Sequence, residues 1–180
     1  QSVPLAGLLL WVGFGIKVGL VPLHPSLPLA YGAAATPGAI ALAGAMVNAG
    51  LLGWLRFLPF GDPAAAGLGL LVTGFGLAGA FYGVLVGLAQ TDARVLLGYS
   101  SVSQMGLVAV GVGAGLVAPQ AWPVLLAAVL LFAVHHGFAK AALFAALDLS
   151  QGPRPRLGRV ALLVPALALI GLPLTSGDLA

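Results

Sequence analysis

Long apolar runs follow one another along this chain, separated by short polar breaks such as FGDP at 60–63 and QTDAR at 90–94. A helix needs about 20 consecutive apolar residues to cross a bilayer. The pattern predicts an all-α polytopic transmembrane helical bundle of about six spans, with residues 1–180 forming a single transmembrane domain. The spans run approximately over 3–23, 37–58, 65–90, 95–117, 122–149 and 160–178.

Composition agrees with this class of protein. Hydrophobic residues make up 61% of the chain and charged residues 6%, whereas soluble domains carry about 25% charged residues. Transmembrane barrels need short alternating strands of about 10 residues, and the continuous runs here do not alternate. Cysteine is absent, which excludes disulfides and thiolate-bound clusters. No motif for flavin, nicotinamide or quinone is present, so we expect no cofactor and no metal.

The charged residues indicate an orientation. Arginines cluster in or beside the loops at 24–36, 90–94 and 150–159, while only Arg56 lies near the opposite loops. The positive-inside rule therefore predicts that the first set of loops is cytoplasmic. The net charge of +3 is a topology signal and does not indicate nucleic-acid binding. Because the chain starts at Gln1 without a methionine, we interpret it as an internal fragment of a longer protein.

Two segments contain helix-breaking residues. The prolines of HPSLPLAYGAAATP at 24–37 make a continuous helix there unfavourable, so this backbone is either buried in protein or lies at the membrane interface. In the sixth span, Gly171, Pro173 and Gly177 predict a helix break near the middle of the membrane. Transporters place ion sites at such breaks.

Ionisable residues inside the spans are the candidate functional groups. Lys17 and Lys140 each lie near mid-span, where a charge costs roughly 2.5–3.5 kcal/mol on insertion scales. His136 precedes Lys140 by four residues and therefore shares its helix face. Since histidine titrates near neutral pH, the three residues are predicted to carry protons. We expect them to face the bundle interior at similar membrane depths.

Further polar residues are weaker candidates. His24 follows the first span, Asn48 lies within the second, and His135 points about 100° away from His136. Asp92 and Arg94 are predicted to pair in a surface loop. Polar side chains that follow them are predicted to line a water entry: Ser100, Ser101, Ser103 and Gln104.

Four sequence blocks together resemble one family. They are GFGIKVGLVPLHPSLPLA at 13–30, DARVLLGYSSVSQMGLV at 92–108, HHGFAKAALF at 135–144 and GLPLTSG at 171–177. Their order and spacing are similar to those of the antiporter-like, proton-pumping membrane subunits. This family includes membrane-arm subunits of respiratory complex I, subunits of Mrp-type cation/proton antiporters, and relatives in membrane-bound hydrogenases.

The resemblance implies a larger architecture. Members have fourteen helices with two inverted repeats, and this chain would supply the seventh to the twelfth helix. A carboxylate partner of Lys17 would then precede Gln1, and a further ionisable residue would follow Ala180. Implied partners are other membrane subunits, the lipid bilayer and protons, with Na⁺ as the alternative ion. The implied location is the bacterial inner membrane.

Two departures from the family pattern leave alternatives open. Asn48, in MVNAGLLGWLRF, stands where the family commonly has a second lysine. At Leu29-Ala30-Tyr31, the chain lacks both polar residues of the family's LP-D-A-H pattern. The resemblance implies a proton-translocating subunit of a redox complex like NADH:quinone oxidoreductase, without a redox site of its own. An Mrp-type Na⁺/H⁺ antiporter subunit and a non-pumping membrane scaffold remain the alternatives.

Overall fold

The computed structural model describes residues 2–171, and short turns join the helices within that range. The helices are α1 Ser2–Val18, α2 Ser26–Ala33, α3 Thr36–Ala41, α4 Val47–Phe57, α5 Ala66–Leu88, α6 Ala93–Val117, α7 Trp122–Gln151 and α8 Pro155–Ile170. A π-helical segment, Leu42–Met46, joins α3 to α4 without a break, and 3₁₀ turns precede α5 and α7. The described part of the chain is therefore helical, as its apolar runs predict.

Four helical stretches are long and apolar enough to cross a membrane. They are Thr36–Phe57, Pro63–Leu88, Ala93–Val117 and Pro119–Gln151, and they match the second to fifth predicted spans. Large apolar side chains point outwards from them, among them Phe81 and Leu85 of α5. Such a surface is stable against lipid or other apolar helices. The chain is part of an integral membrane protein.

The first predicted span is not one helix. Helix α1 ends at Val18, and Gly19 adopts a positive φ of 80°. The Gly15 carbonyl accepts the backbone N–H groups of Gly19 and Leu20 at 2.9 and 3.0 Å, which closes the end of the helix. A left-handed glycine is a common helix terminator, and the following prolines cannot donate to a helix. The predicted continuity of 3–23 is therefore wrong.

The segment predicted as the loop 24–36 is mostly helix α2. Leu20 and Tyr31 are fully buried and Leu27 nearly so, and the backbone of Pro28 packs closely on Gly98 of α6. Of the two locations open to this proline-rich segment, the structure supports burial in protein. The turn and α2 line the interior of the bundle beside α5 and α6.

Helices α5 and α6 approach each other closely enough for their backbones to touch. A Cβ atom added to Gly76 would lie 2.7 Å from the carbonyl oxygen of Gly106, and one added to Gly106 would lie 2.6 Å from the backbone nitrogen of Ala80. Small residues allow such contacts between membrane helices. This packing holds α6 in place from one side, leaving its other side to α2 and α7.

Arg94 joins three chain segments at one end of the bundle. Its guanidinium donates to the Ala34 carbonyl at 3.0 Å and to Thr36 Oγ1 at 2.6 Å, and lies 3.6 Å from the Asp148 carboxylate. Thr36 donates in turn to Asp148 at 2.7 Å. The predicted surface pair of Asp92 and Arg94 is corrected, because the Asp92 side chain instead accepts backbone N–H groups at the start of α6. These contacts bring the 24–36 and 90–94 loops to the same end.

The sixth predicted span begins earlier than expected. Helix α8 starts at Pro155 and ends at Ile170, where Gly171 adopts a positive φ of 75°. Gly171 is therefore the C-terminal cap of α8. Pro173 and Gly177 lie outside the described residues, so the break between Gly171 and Gly177 stays a prediction.

The α5–α6 contact predicts different effects of two neighbouring glycine substitutions. Gly76→Ala should lower the stability of the full-length protein by about 1–3 kcal/mol, because the new methyl group meets the Gly106 carbonyl. Gly74→Ala, on the same helix but with open space around its Cβ position, should leave stability unchanged or slightly higher. Thermal midpoints of the purified protein in detergent compare the two. Equal midpoints would contradict this account of the packing.

The contacts of Arg94 predict that Arg94→Ala and Asp148→Ala lower the stability of the protein by different amounts. Arg94→Ala should cost about 1–3 kcal/mol, since a carbonyl and a hydroxyl lose a charged donor. Asp148→Ala should cost less than about 1 kcal/mol, because its side chain is 61% exposed. Thermal unfolding of both variants, with Arg154→Ala as an exposed-arginine control, makes the comparison. A larger loss for Asp148→Ala than for Arg94→Ala would refute it.

Candidate functional site

Two titratable side chains lie on one buried face of α7. His136 and Lys140 both have no solvent-exposed surface, and their four-residue spacing places them one above the other. A charge at such a site is costly unless polar groups meet it. The polar groups that contact His136 and Lys140 therefore define the site.

The backbone of α6 meets the Lys140 ammonium. Its Nζ donates a hydrogen bond of 2.9 Å to the carbonyl oxygen of Leu97. The same carbonyl accepts the Ser101 hydroxyl at 3.2 Å. Among residues 2–171, no carboxylate forms an ion pair with Lys140. The described part of the chain therefore stabilises the ammonium with a carbonyl dipole and not with an opposite charge.

A side chain of α6 meets the imidazole of His136. Nδ1 of His136 forms a hydrogen bond with Oε1 of Gln104. Nε2 is buried, and no described atom bonds to it. The Phe132 ring lies parallel to the imidazole one helical turn away, with 6.4 Å between centroids. One nitrogen of the imidazole is therefore hydrogen-bonded, and the other is buried without a described partner.

Tyr31 adds a hydroxyl to this interior from α2. Its side chain is fully buried, and its ring packs edge-on against Phe144 of α7 with 4.9 Å between centroids. The hydroxyl lies beside Ser101, but no described atom completes a hydrogen bond with it. In the sequence pattern Tyr31 is only the loss of a polar residue, whereas the fold places its hydroxyl in the interior.

These groups are here named the polar column. Its members are Tyr31, the Leu97 carbonyl, Ser101, Gln104, His136 and Lys140. The three α6 members have spacings of four and three residues, which places them on one helix face. This spacing is the sequence signal that identifies Ser101 and Gln104 as inward-facing. Within residues 2–171, no three metal-ligating side chains converge.

Asn48 lies outside the polar column, at the contact between α4 and α7. Its Nδ2 donates to the Gly44 carbonyl of the π-helical segment at 2.9 Å and to the Ala133 carbonyl of α7 at 3.4 Å. A Cβ atom on Gly137 would lie 2.9 Å from this nitrogen. Asn48 thus bridges two helices near His136, and its buried Oδ1 has no described partner.

Lys17 is placed differently from Lys140. It lies in the last turn of α1, where helix carbonyl groups favour a cation. Its side chain is exposed, and among the described residues no hydrogen bond or ion pair joins it to another group. The expected interior position is found for His136 and Lys140 but is not found for Lys17 within residues 2–171.

The remaining histidines have separate surroundings. His24 is buried against Tyr82 and Tyr99, with ring centroids 4.8 and 6.2 Å away. His135 is also buried, and it lines a groove of about 400 Å³ between α7 and α8 that includes Pro165. Neither histidine belongs to the polar column, so their predicted part in proton transfer stays a prediction.

Comparison with known proteins places this architecture in a family. Residues 2–180 match the family described as NADH:quinone oxidoreductase/Mrp antiporter, transmembrane region. The chain is 38% identical to NADH-quinone oxidoreductase subunit M of Pseudomonas aeruginosa over 135 residues, which are 74% of this chain and 25% of that protein. It is 37% identical to hydrogenase-4 component B of Escherichia coli over 134 residues, covering 72% of the chain and 20% of the relative.

These relatives are much longer than the chain, which spans a quarter of their length or less. The subunit M of Escherichia coli K12 is 39% identical over 106 residues, covering 58% of the chain and 21% of the relative. The family match extends over nearly every residue, and the apolar helices and four sequence blocks agree with it. The chain therefore belongs to the NADH:quinone oxidoreductase/Mrp antiporter family of transmembrane proteins.

Proposed function

We propose that this chain is part of a proton-translocating subunit of a membrane redox complex, in which His136 and Lys140 carry protons. The observation that supports this most strongly is the complete burial of both groups on one face of α7. Retaining a charged amine at that depth has a substantial insertion cost. A function that needs a titrating group explains why the chain retains this buried amine better than helix packing does.

The polar column supports a transfer path between the two groups. Lys140 uses one of its donors on the Leu97 carbonyl, so a proton lost from Nζ leaves an amine lone pair that can accept another. The open Nε2 of His136 lies one helical turn away. Water between Nε2 and Nζ would complete the path, and the hydroxyls of Tyr31 and Ser101 offer it further hydrogen-bonding partners.

Lys17 fits the proposal as a group completed by another part of the protein. Its side chain is exposed among the described residues, and the family resemblance implies a carboxylate from a preceding helix. We propose that this carboxylate covers Lys17 and that a change in its charge drives the lysine proton onwards. The break after Val18 leaves Lys17 at a half-helix end, where transporters hold ions.

Partners and location follow from the same proposal. Other membrane subunits of a multisubunit complex would cover the exposed apolar faces, and the complex would lie in a bacterial inner membrane. The loops near Arg94 and at 150–159 would face the cytoplasm. The transported ion is the proton, and an Na⁺/H⁺ exchange activity is tested by repeating transport measurements with and without Na⁺.

A non-pumping scaffold is the second candidate, and Asn48 favours it. Its amide forms hydrogen bonds with backbone carbonyls of two helices and cannot titrate as the family's lysine does. In this alternative the interior polar groups only hold helices together. The substitutions described next separate the two functions.

Alanine substitutions of the lysines test proton translocation. In the whole assembled complex, Lys140→Ala should lower proton uptake into proteoliposomes roughly tenfold or more, since a positioned acid–base group is lost. Lys17→Ala should act similarly. Arg56→Ala, which removes an exposed cation near the end of α4, is the matched control and should leave uptake unchanged. Normal uptake per assembled complex in both lysine variants would leave the scaffold as the better function.

Restoring the family's lysine tests Asn48. Asn48→Lys should assemble, because the carbonyls of Gly44 and Ala133 that accept the amide N–H groups can accept an ammonium. Proton uptake should be equal to or above that of the wild type. Asn48→Leu, of similar size but without donors, is the comparison variant for assembly. A clear loss of uptake in an assembled Asn48→Lys complex would show that a second amine is harmful here.

A further inference from the structure

Gln104 presents its amide oxygen to His136. Oε1 of Gln104 lies at hydrogen-bonding distance from Nδ1 of His136. An amide oxygen can only accept a hydrogen bond, whereas a neutral imidazole has one donor and one acceptor nitrogen. The nitrogen in contact with Oε1 must therefore carry the ring proton.

We infer that Gln104 is a positioning residue that fixes the tautomer of His136, with Nδ1 protonated and Nε2 left as the proton-accepting nitrogen. The tautomer is a property of the fold, and its importance for transport rests on the proposed function. A histidine's tautomer is set by the hydrogen bond that its other nitrogen makes.

The surroundings of Gln104 make this contact well defined. Its neighbours Met105 and Gly106 are buried, and Gly106 packs backbone to backbone on α5. Movement of α6 away from α7 would press its backbone against α5, which already touches it at Gly106. With the opposite amide orientation, the NH₂ group would donate to Nδ1 and leave an Nε2–H donor buried without a described acceptor, which is costly.

Gln104 also separates His136 from an open groove. The residue lines a groove of about 290 Å³ between α5 and α6, together with Gly83, Gly87 and Ser100. An amide oxygen is too weak a base to take the ring proton near neutral pH. The Nδ1 side of the imidazole is thus closed to proton exchange with the groove.

The consequence for proton transfer is a single route. A proton that arrives at His136 binds the Nε2 lone pair, and the ring becomes an imidazolium with one positive charge. The Nδ1–H bond to Gln104 persists and becomes charge-assisted, hence stronger. Loss of the proton from Nε2 restores the same neutral tautomer. Protons therefore enter and leave by the nitrogen that faces the bundle interior.

Nuclear magnetic resonance of the full-length protein in its complex tests the tautomer directly. Histidine ring nitrogens would be labelled with ¹⁵N, and the His136 signals identified by their loss in His136→Asn. At alkaline pH the wild type should show a protonated Nδ1 and a bare Nε2. Gln104→Met, similar in shape but without the acceptor, should lose this preference. Gln104→Glu, which keeps an acceptor oxygen, should retain it.

Gln90→Met is the matched control. The side chain of Gln90 donates to the Val86 carbonyl at the end of its own helix, so its replacement should leave the His136 signals unchanged. A wild type with a protonated Nε2 would overturn the inference, and so would an unchanged tautomer in Gln104→Met. Should Gln104→Met fail to assemble, the wild-type and Gln104→Glu spectra still decide.

Proton uptake by the same variants separates this inference from the proposed function. We expect Gln104→Met to lose the tautomer preference and to lower uptake several-fold. A lost preference with normal uptake would support Gln104 as the positioning residue and count against proton transfer through His136. Reduced uptake with an unchanged tautomer would overturn the positioning role.

Discussion

The buried hydrogen bond between the Lys140 ammonium and the Leu97 carbonyl sets the strictest requirement in this bundle. Among residues 2–171, no carboxylate forms an ion pair with Lys140. Its amine therefore depends on the Leu97 carbonyl dipole of α6. Helix α6 must therefore stay close to α7. The contact of Gly106 with α5 and the bonds from Arg94 to the α2 and α3 ends hold it there. Gly106 and Arg94 thus support the Lys140 hydrogen bond indirectly, because they keep α6 close to α7.

Irregular backbone accompanies the polar residues of the other helices. Helix α1 ends at Val18, so Lys17 lies in its last turn. Asn48 follows a π-helical segment and bonds to the Gly44 carbonyl within it. Such discontinuities expose backbone groups that a regular helix would use internally, and π-segments are frequent at functional sites. The two departures from the family pattern, Asn48 and Tyr31, both supply hydrogen-bonding groups without a charge.

Much of the fold could be predicted because hydrophobic length and helix breakers act locally. The four long spans and the placement of His136 and Lys140 on one face follow from the length and spacing of residues along the chain. The first span was predicted too long, because its hydrophobicity continues through Gly19 to Leu23 while its backbone does not. An apolar run indicates which residues are stable in lipid, but it does not indicate where the backbone hydrogen bonds of a helix end.

By itself the sequence determined the class of protein, the helical spans and the two intramembrane amines, because each depends on residue type and on distances along one helix. Only the tertiary structure decided which groups meet. It joined His136 to Gln104 and Lys140 to Leu97, although each pair is separated by 32 or 43 positions along the chain. It also left Lys17 on the exposed surface of the described residues. The physical reason is that contacts between helices depend on how backbones approach, and small residues at the crossing points control that approach.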